Sequence, residues 1–288
     1  FAYKTELIKE NLKLIEKIDT SLELVPTETN IQIPYHGLSK KAKKQLYAIT
    51  AILVITILVS TFCATWFYLS GIGTDKSPLK VYTEAQLLSY FAKNVKAVKL
   101  EKDLTLTAFS MEELKTNIDG NNHTITLIDQ KSSMIQSNNA EIKNLNIKVE
   151  LNAIEIEENY AFLCKENNGT LQNININSQF NFSAKEKKGA EGENLYIAMY
   201  AAENKGIISN CSVSSNIKGM GNGNVNASIS YICGINRKIV ENCIVDKNST
   251  IEVENVDVGG IVSLNDDNAT VSSCSVSGII TQNGKGEN

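Results

Sequence analysis

Residues 236–245 read NRKIVENCIV, and the same pattern recurs along the second half of the chain: NNAEIKNLNI (138–147), NNGTLQNINI (167–176), NKGIISNCSV (204–213) and DNATVSSCSV (267–276). Each copy fits N-x-x-x-ϕ-x-N-ϕ-x-ϕ, with ϕ apolar or Cys; Asp267 and Ser273 are the departures in the last copy. A fixed period of about 20–50 residues is the signature of a solenoid or other repeat architecture. A short apolar or small-residue stretch precedes each copy: SSMIQS, YAFLCKE, YIAMYAAE, SYICGI and GGIVSLN. Each unit therefore reads as strand, turn, strand, then a loop of variable length. No unit carries a helical pattern long enough to fold back as a helix. A unit this small cannot bury its own apolar face, so it must stack on the next one. The expected architecture is an all-β, right-handed, single-stranded parallel β-helix.

Equivalent positions support the stack. Ile142, Leu171, Ile208, Val240 and Val271 form one candidate inward ladder, and Ile147, Ile176, Val213, Val245 and Val276 a second. The two are five residues apart, which breaks strict strand alternation. A bend between them returns both to the inside. Asn144, Asn173, Asn210 and Asn242 occupy that bend, and asparagine tolerates left-handed backbone. The row is read as structural, with a ligand-binding row as the alternative. Cys211, Cys243 and Cys274 follow the bend on successive coils and read as a buried thiol ladder. Parallel stacking holds such side chains further apart than a disulfide favours. Five of the six cysteines lie after the apolar span described below, so they cannot all pair within one chain.

Residues 79–130 read as the start of the same solenoid. TEAQLLSYFA (83–92) is a short amphipathic helix suited to cap the open end, and VKAVKLEKDLTLT and NIDGNNHTITLID follow as first coils. Upstream, Ala48 to Ser70 carries no charge and is long enough to cross a bilayer as one helix. Trp66, Phe67 and Tyr68 sit at one end as an interfacial belt would. Lys40, Lys41, Lys43 and Lys44 precede the span, and only Lys76 and Lys80 follow it closely, so the N-terminus is expected in the cytoplasm. The expected division is a cytoplasmic juxtamembrane segment at 1–46, a transmembrane helix at 47–70, a linker at 71–78 and an extracellular β-helix at 79–288. Leu7, Ile8, Leu12, Ile15 and Ile18 give the first segment a helical apolar stripe between Thr5 and Thr20. That stripe suits self-association, a cytoplasmic partner or the membrane surface. The chain starts at Phe1 and shows no evident cap after its last repeat, which suggests a longer parent.

GGIVSLN…NATVSSCSVSG and ICGINRKIVENCIV resemble GLUG repeats, whose pattern is close to G-G-[IL]-[VA]-G-x-N-x-G-x-I-x-N-C-x-V; the similarity covers about 130–280. The first copies lack the Gly pair and the Cys, and the last has a turn two residues longer, through Asp266 and Asp267. The resemblance implies a bacterial cell-surface protein, since such repeats occur in non-catalytic regions of IgA-specific metallopeptidases. Residues 83–128 also resemble the opening coils of pectate-lyase-like β-helices. Neither resemblance carries a catalytic residue onto this chain.

Composition narrows the chemistry. The chain has 288 residues, a net charge of −4 and two histidines, His36 and His123. No basic face is expected, so no nucleic-acid partner is. No His-Glu-x-x-His or Cys-x-x-Cys occurs, and no metal or cofactor is expected. Arg237, the sole arginine, and the Asp266–Asp267 pair are the nearest thing to a lyase-like set, and His123 reads as a ladder residue. GMGNGN (219–224) lacks the lysine and helix of a phosphate cradle. Of the Asn-x-Ser/Thr triplets, the one at Asn210 is expected inside the packed repeat, where a glycan would not fit. The expected function is a membrane-anchored surface module for binding or adhesion, to a glycan or protein, or for spacing, and no enzyme. The alternatives are an accessory stalk of a larger surface enzyme, such as a metallopeptidase, and a transmembrane sensor.

Overall fold

The computed structural model describes residues 39–186, 193–222 and 225–284; the stripe between Thr5 and Thr20, and His36, lie outside them. The chain divides into two compact units, Phe1–Ser60 and Thr61–Asn288. Helix α1 spans Lys40–Ser70. It starts before the apolar run because the lysine-rich turn is itself made of good helix formers, and the Ser39 hydroxyl accepts the Ala42 N–H at 3.2 Å. Ile49, Ile52, Leu53 and Ile55 are all more than half exposed. The hydroxyls of Thr50 and Thr56 donate back to the carbonyls of Leu46 and Ile52 at 2.9 and 2.8 Å. Polar groups must be satisfied internally in this way where no water reaches them. The part from Lys40 to Cys63, whose most apolar 18-residue window has mean hydropathy 2.4, is long and apolar enough to cross a membrane.

The second unit is mostly β, and all its strand-to-strand ladders are parallel. The chain passes through three sheets in turn, and each strand pairs with its equivalent in the next repeat. In the largest sheet Ile142, Leu171, Ile208, Val240 and Val271 stand in successive register. So do Ile147, Ile176, Val213, Val245 and Val276. All of these except Val271 and Val276 are at most 1% exposed. Such rows supply most of the burial, at about 25 cal/mol per Å² of apolar surface.

Two features depart from the reading of the repeat. First, much of what was expected as variable loop is strand. Glu141–Ile156 and Thr170–Ala184 run on past the repeat motif. Their alternation continues inward with Leu151 and Phe180, then resumes with Ile154 and Phe182 after a one-residue register shift in the first strand. Second, Asn265, not Asp267, pairs with Asn236. Asp266 and Asp267 belong to the turn that follows, which is two residues longer as expected for this copy, and the register recovers at Thr270, opposite Ile239.

Helix α2, Glu84–Ala92, precedes the strands from Ala97 onward. The Thr83 hydroxyl accepts the Gln86 N–H, and the Gln86 side chain accepts the Tyr82 N–H at 2.8 Å, a reciprocal start of the capping-box kind. Leu87 and Phe91 on its inner side join the same core as Val81, Val98 and Leu100. Residues 71–78, expected as a linker, are tied to this region: the Ala97 N–H donates to the Gly73 carbonyl at 3.0 Å, and Asp75 pairs with Lys96 at 2.6 Å. At the turn that opens the third repeat the chains come very close: a Cβ on Gly206 would lie 2.0 Å from the Gly169 carbonyl oxygen, so glycine is needed at that rung, whereas Ala140 and Lys238 hold the same place in other repeats.

Candidate functional site

The most ordered polar feature lies in the interior. Asn138, Asn167, Asn204 and Asn236 are fully buried, and each side-chain amide donates to the side-chain oxygen of the next, ending on Asn265. The distances are 2.8, 2.8, 2.9 and 2.8 Å. The remaining capacity is used locally: the Gly206 N–H donates to the Asn204 oxygen at 3.2 Å, and the Asn204 amide also reaches the Ile239 carbonyl at 3.0 Å. Buried amides are tolerated when satisfied to this degree. Sequence reasoning passed over this row, although the first residue of the ten-residue pattern is its signal.

The bend residues lie elsewhere. Asn144, Asn173, Asn210 and Asn242 have φ of 53°, 52°, 53° and 53°, and Ser273 follows at 52°. Asn173 donates to the Asn144 oxygen at 3.1 Å, and Asn144 to Asp119 at 3.1 Å. Asn210 is exposed rather than packed inside, because the left-handed backbone turns its side chain outward while its neighbours Ile208 and Cys211 stay buried. Cys211 and Cys243 are buried and Cys274 is half-buried; all are free thiols. Each thiol donates to the carbonyl two residues before it, at 3.3, 3.3 and 3.2 Å. Burial holds the thiols of Cys164, Cys211 and Cys233 well above the usual range, so they stay protonated and unreactive. Lys40, Lys41, Lys43, Lys44, Trp66 and Tyr68 all fall within α1.

Arg237 stands at the turn after Asn236. Its guanidinium bonds Glu203 on the preceding repeat and Asp266 on the following one. Those two carboxylates favour its charged form, and the side chain acts as an ionic tie rather than a free catalytic base. Being 43% exposed, the tie is worth little: Arg237→Ala is expected to lower stability by less than about 1 kcal/mol in urea denaturation, and a much larger loss would contradict this role. His123 approaches Asp103 at 3.1 Å, and the Thr124 N–H donates to the same carboxylate oxygen at 2.9 Å. The Thr124 amide first, and His123 second, hold the Asp103 carboxyl below its ordinary value. Among the described residues no cluster of three or more His, Cys, Asp or Glu side chains has metal-binding geometry.

The outward side of the largest sheet carries a second polar row. Asn146 donates to the Asn122 carbonyl at 2.7 Å, Asn175 to the Asn146 side chain at 2.9 Å, and the Ser212 hydroxyl to Asn175. A groove of about 440 Å³ runs beside this row, lined also by Thr124, Lys148, Asn177 and Asp246. Its lining runs from Thr124 through Asn146, Asn175 and Ser212 on successive rungs about 4.8 Å apart, and ends on the exposed Ile244 in register with Ser212. No family model, no curated protein and no solved structure matches the chain. The arrangement can donate and accept hydrogen bonds at a regular spacing, with one lysine and one aspartate balancing each other.

Proposed function

We propose that this protein is a single-pass, membrane-anchored surface module of GLUG-like repeats, closed into a right-handed parallel β-helix, that binds an extended neutral glycan along the outward Asn–Ser row. The lysine cluster before the span favours a cytoplasmic N-terminus, with the repeats on the extracellular side. The observation that carries the binding reading is the groove beside Asn146, Asn175 and Ser212. Carboxamides and hydroxyls both donate and accept, which suits sugar hydroxyls. Rung repetition lets a polymer with a repeating unit engage several subsites at once.

The test is titration calorimetry of the full chain in detergent against neutral and charged oligosaccharides. Binding to neutral oligosaccharides is expected, with affinity at least about tenfold lower for Asn175→Ala combined with Ser212→Ala, a change of about 1.4 kcal/mol, and no change in melting. Absence of binding to any neutral glycan, or affinity unaffected by the double substitution, rejects the reading.

A further inference from the structure

The repeats begin without a spacer after the apolar span. α1 ends at Ser70, and its run from Ala48 to that point carries no charge. From Gly71 onward the chain is already folded. Gly71 packs so closely on the turn after it that a Cβ there would lie 1.9 Å from the Pro78 carbonyl oxygen. The Ile72 and Gly73 N–H groups both donate to the Ser77 carbonyl, at 3.0 and 2.9 Å. A flexible linker of n residues would let its ends part by about 5–6 Å × √n, and here there is none. A membrane crossed by α1 therefore lies next to whichever residues open the stack.

Those residues are apolar on their outer side. The strand Leu79–Val81 is the first of the largest sheet and, among the described residues, pairs only with Ala97–Leu100. α2 follows it directly. That helix buries Leu87 and Phe91, yet Ala85, Leu88 and Ala92 are exposed and apolar as well. Their spacing of i, i+3 and i+7 makes them one stripe, and a helix apolar on two sides suits an apolar surrounding on both. Leu88 is 36% exposed, Tyr82 just before the helix 43%, and Ile72 62%. Lys93 caps the helix and Lys76 lies in the preceding turn, both exposed. Tyrosine rings and snorkelling lysines are the side chains that settle at the headgroup level of a bilayer. Glu84 stands in the first turn of α2, where its charge complements the positive pole of the helix.

We propose that the first end of the stack rests on lipid: the outer stripe of α2, with Tyr82 and Ile72, sits at the headgroup–acyl boundary of the membrane that α1 crosses. The proposal rests on α1 crossing a membrane and holds for either orientation of the chain. Helical faces of this kind sink about 5–10 Å into that boundary.

The test is tryptophan emission from the full chain in phosphatidylcholine vesicles whose acyl chains are brominated close to the headgroup, compared with unbrominated vesicles. Trp66 is the sole tryptophan, so the wild type reports on the span itself. Two variants carry Trp66→Phe and one new tryptophan. Leu88→Trp lies on the outer stripe of α2; Lys247→Trp lies in an exposed turn six rungs along the stack, about 29 Å further on. Bromine is expected to quench Trp66 and Leu88→Trp and to leave Lys247→Trp unaffected. Adding Ala85→Glu and Ala92→Glu to the Leu88→Trp protein should abolish its quenching with an unchanged melting temperature. Quenching of Trp66 without quenching of Leu88→Trp overturns the docking and leaves the span standing. Quenching of neither rejects the span and the docking together. Equal quenching at Leu88→Trp and Lys247→Trp, which would lay the stack along the bilayer, overturns the docking too. So does quenching that survives the two glutamates, which would make the new tryptophan itself the anchor.

Discussion

Asn204→Ala is expected to destabilise the repeats by about 3–5 kcal/mol. The buried amide sits mid-row, so its removal strands partners on both sides. The Asn167 amide loses an acceptor at 2.8 Å, the Asn236 oxygen loses a donor at 2.9 Å, and the Gly206 N–H loses its acceptor. Each buried group left without a partner costs about 1–3 kcal/mol, and part of that is recovered by the weaker local contacts that remain. Asn265→Ala supplies the comparison. It stands at the end of the row, exposed; its loss breaks the bond from Asn236 and its own bond to the Ala269 carbonyl, where water can replace the missing partner, so its cost should be about 1 kcal/mol. Urea denaturation followed by far-UV circular dichroism measures both. Equal effects at the two positions would show that the row does not act as a connected network.

Phe180→Ala should be as damaging for a different reason. Phe180 is fully buried on the extended strand Thr170–Ala184. Its ring lies 4.9 Å from Phe162 in an edge-on contact and 5.3 Å from Phe182 in a stacked one, with Tyr160 at 6.3 Å. Truncation leaves a cavity that neighbouring backbones, locked by their ladders, cannot close. Such losses run to about 3–5 kcal/mol, which lowers Tm by about 10 °C in a domain of this size. Gln179→Ala, one residue away on the solvent side, should leave Tm unchanged. A small effect of Phe180→Ala would mean that the aromatic cluster is loosely packed.

The two positions also mark how far the sequence could be read. Ile142, Leu171, Ile208 and Val240 were legible as a ladder because their spacing repeats and their chemistry hardly varies. Asn138 and its successors were passed over because an asparagine that opens a repeat resembles an ordinary turn residue. Only the stacked register shows that its amide has nowhere to go except the next asparagine. Phe180 was missed because its strand follows the repeat motif at a point where repeat lengths differ, so no period announced it. Asp266 and Asp267 shifted the apparent start of the last copy by two residues. The bend at Asn210 was legible, but the outward direction of its side chain depends on the backbone φ, which spacing does not encode. The outward row of Asn146, Asn175 and Ser212 was not read from the sequence, because only the stacked register shows that these residues bond into one chain.

The buried row has a direction. Every carboxamide from Asn138 to Asn236 passes its N–H forward, whereas Asn146 and Asn175 on the outer face, and Asn173 at the bend, pass theirs backward. Aligned amide dipoles in a dry interior add head to tail, much as peptide dipoles do along a helix. The interior row is therefore a fixed electrical axis with its positive pole at Asn265. Asp266 and Asp267 follow that pole directly, the sign of charge it favours, and Arg237 anchors Asp266 there. The stack thus has an electrical polarity that runs from Asn138 toward Asn265.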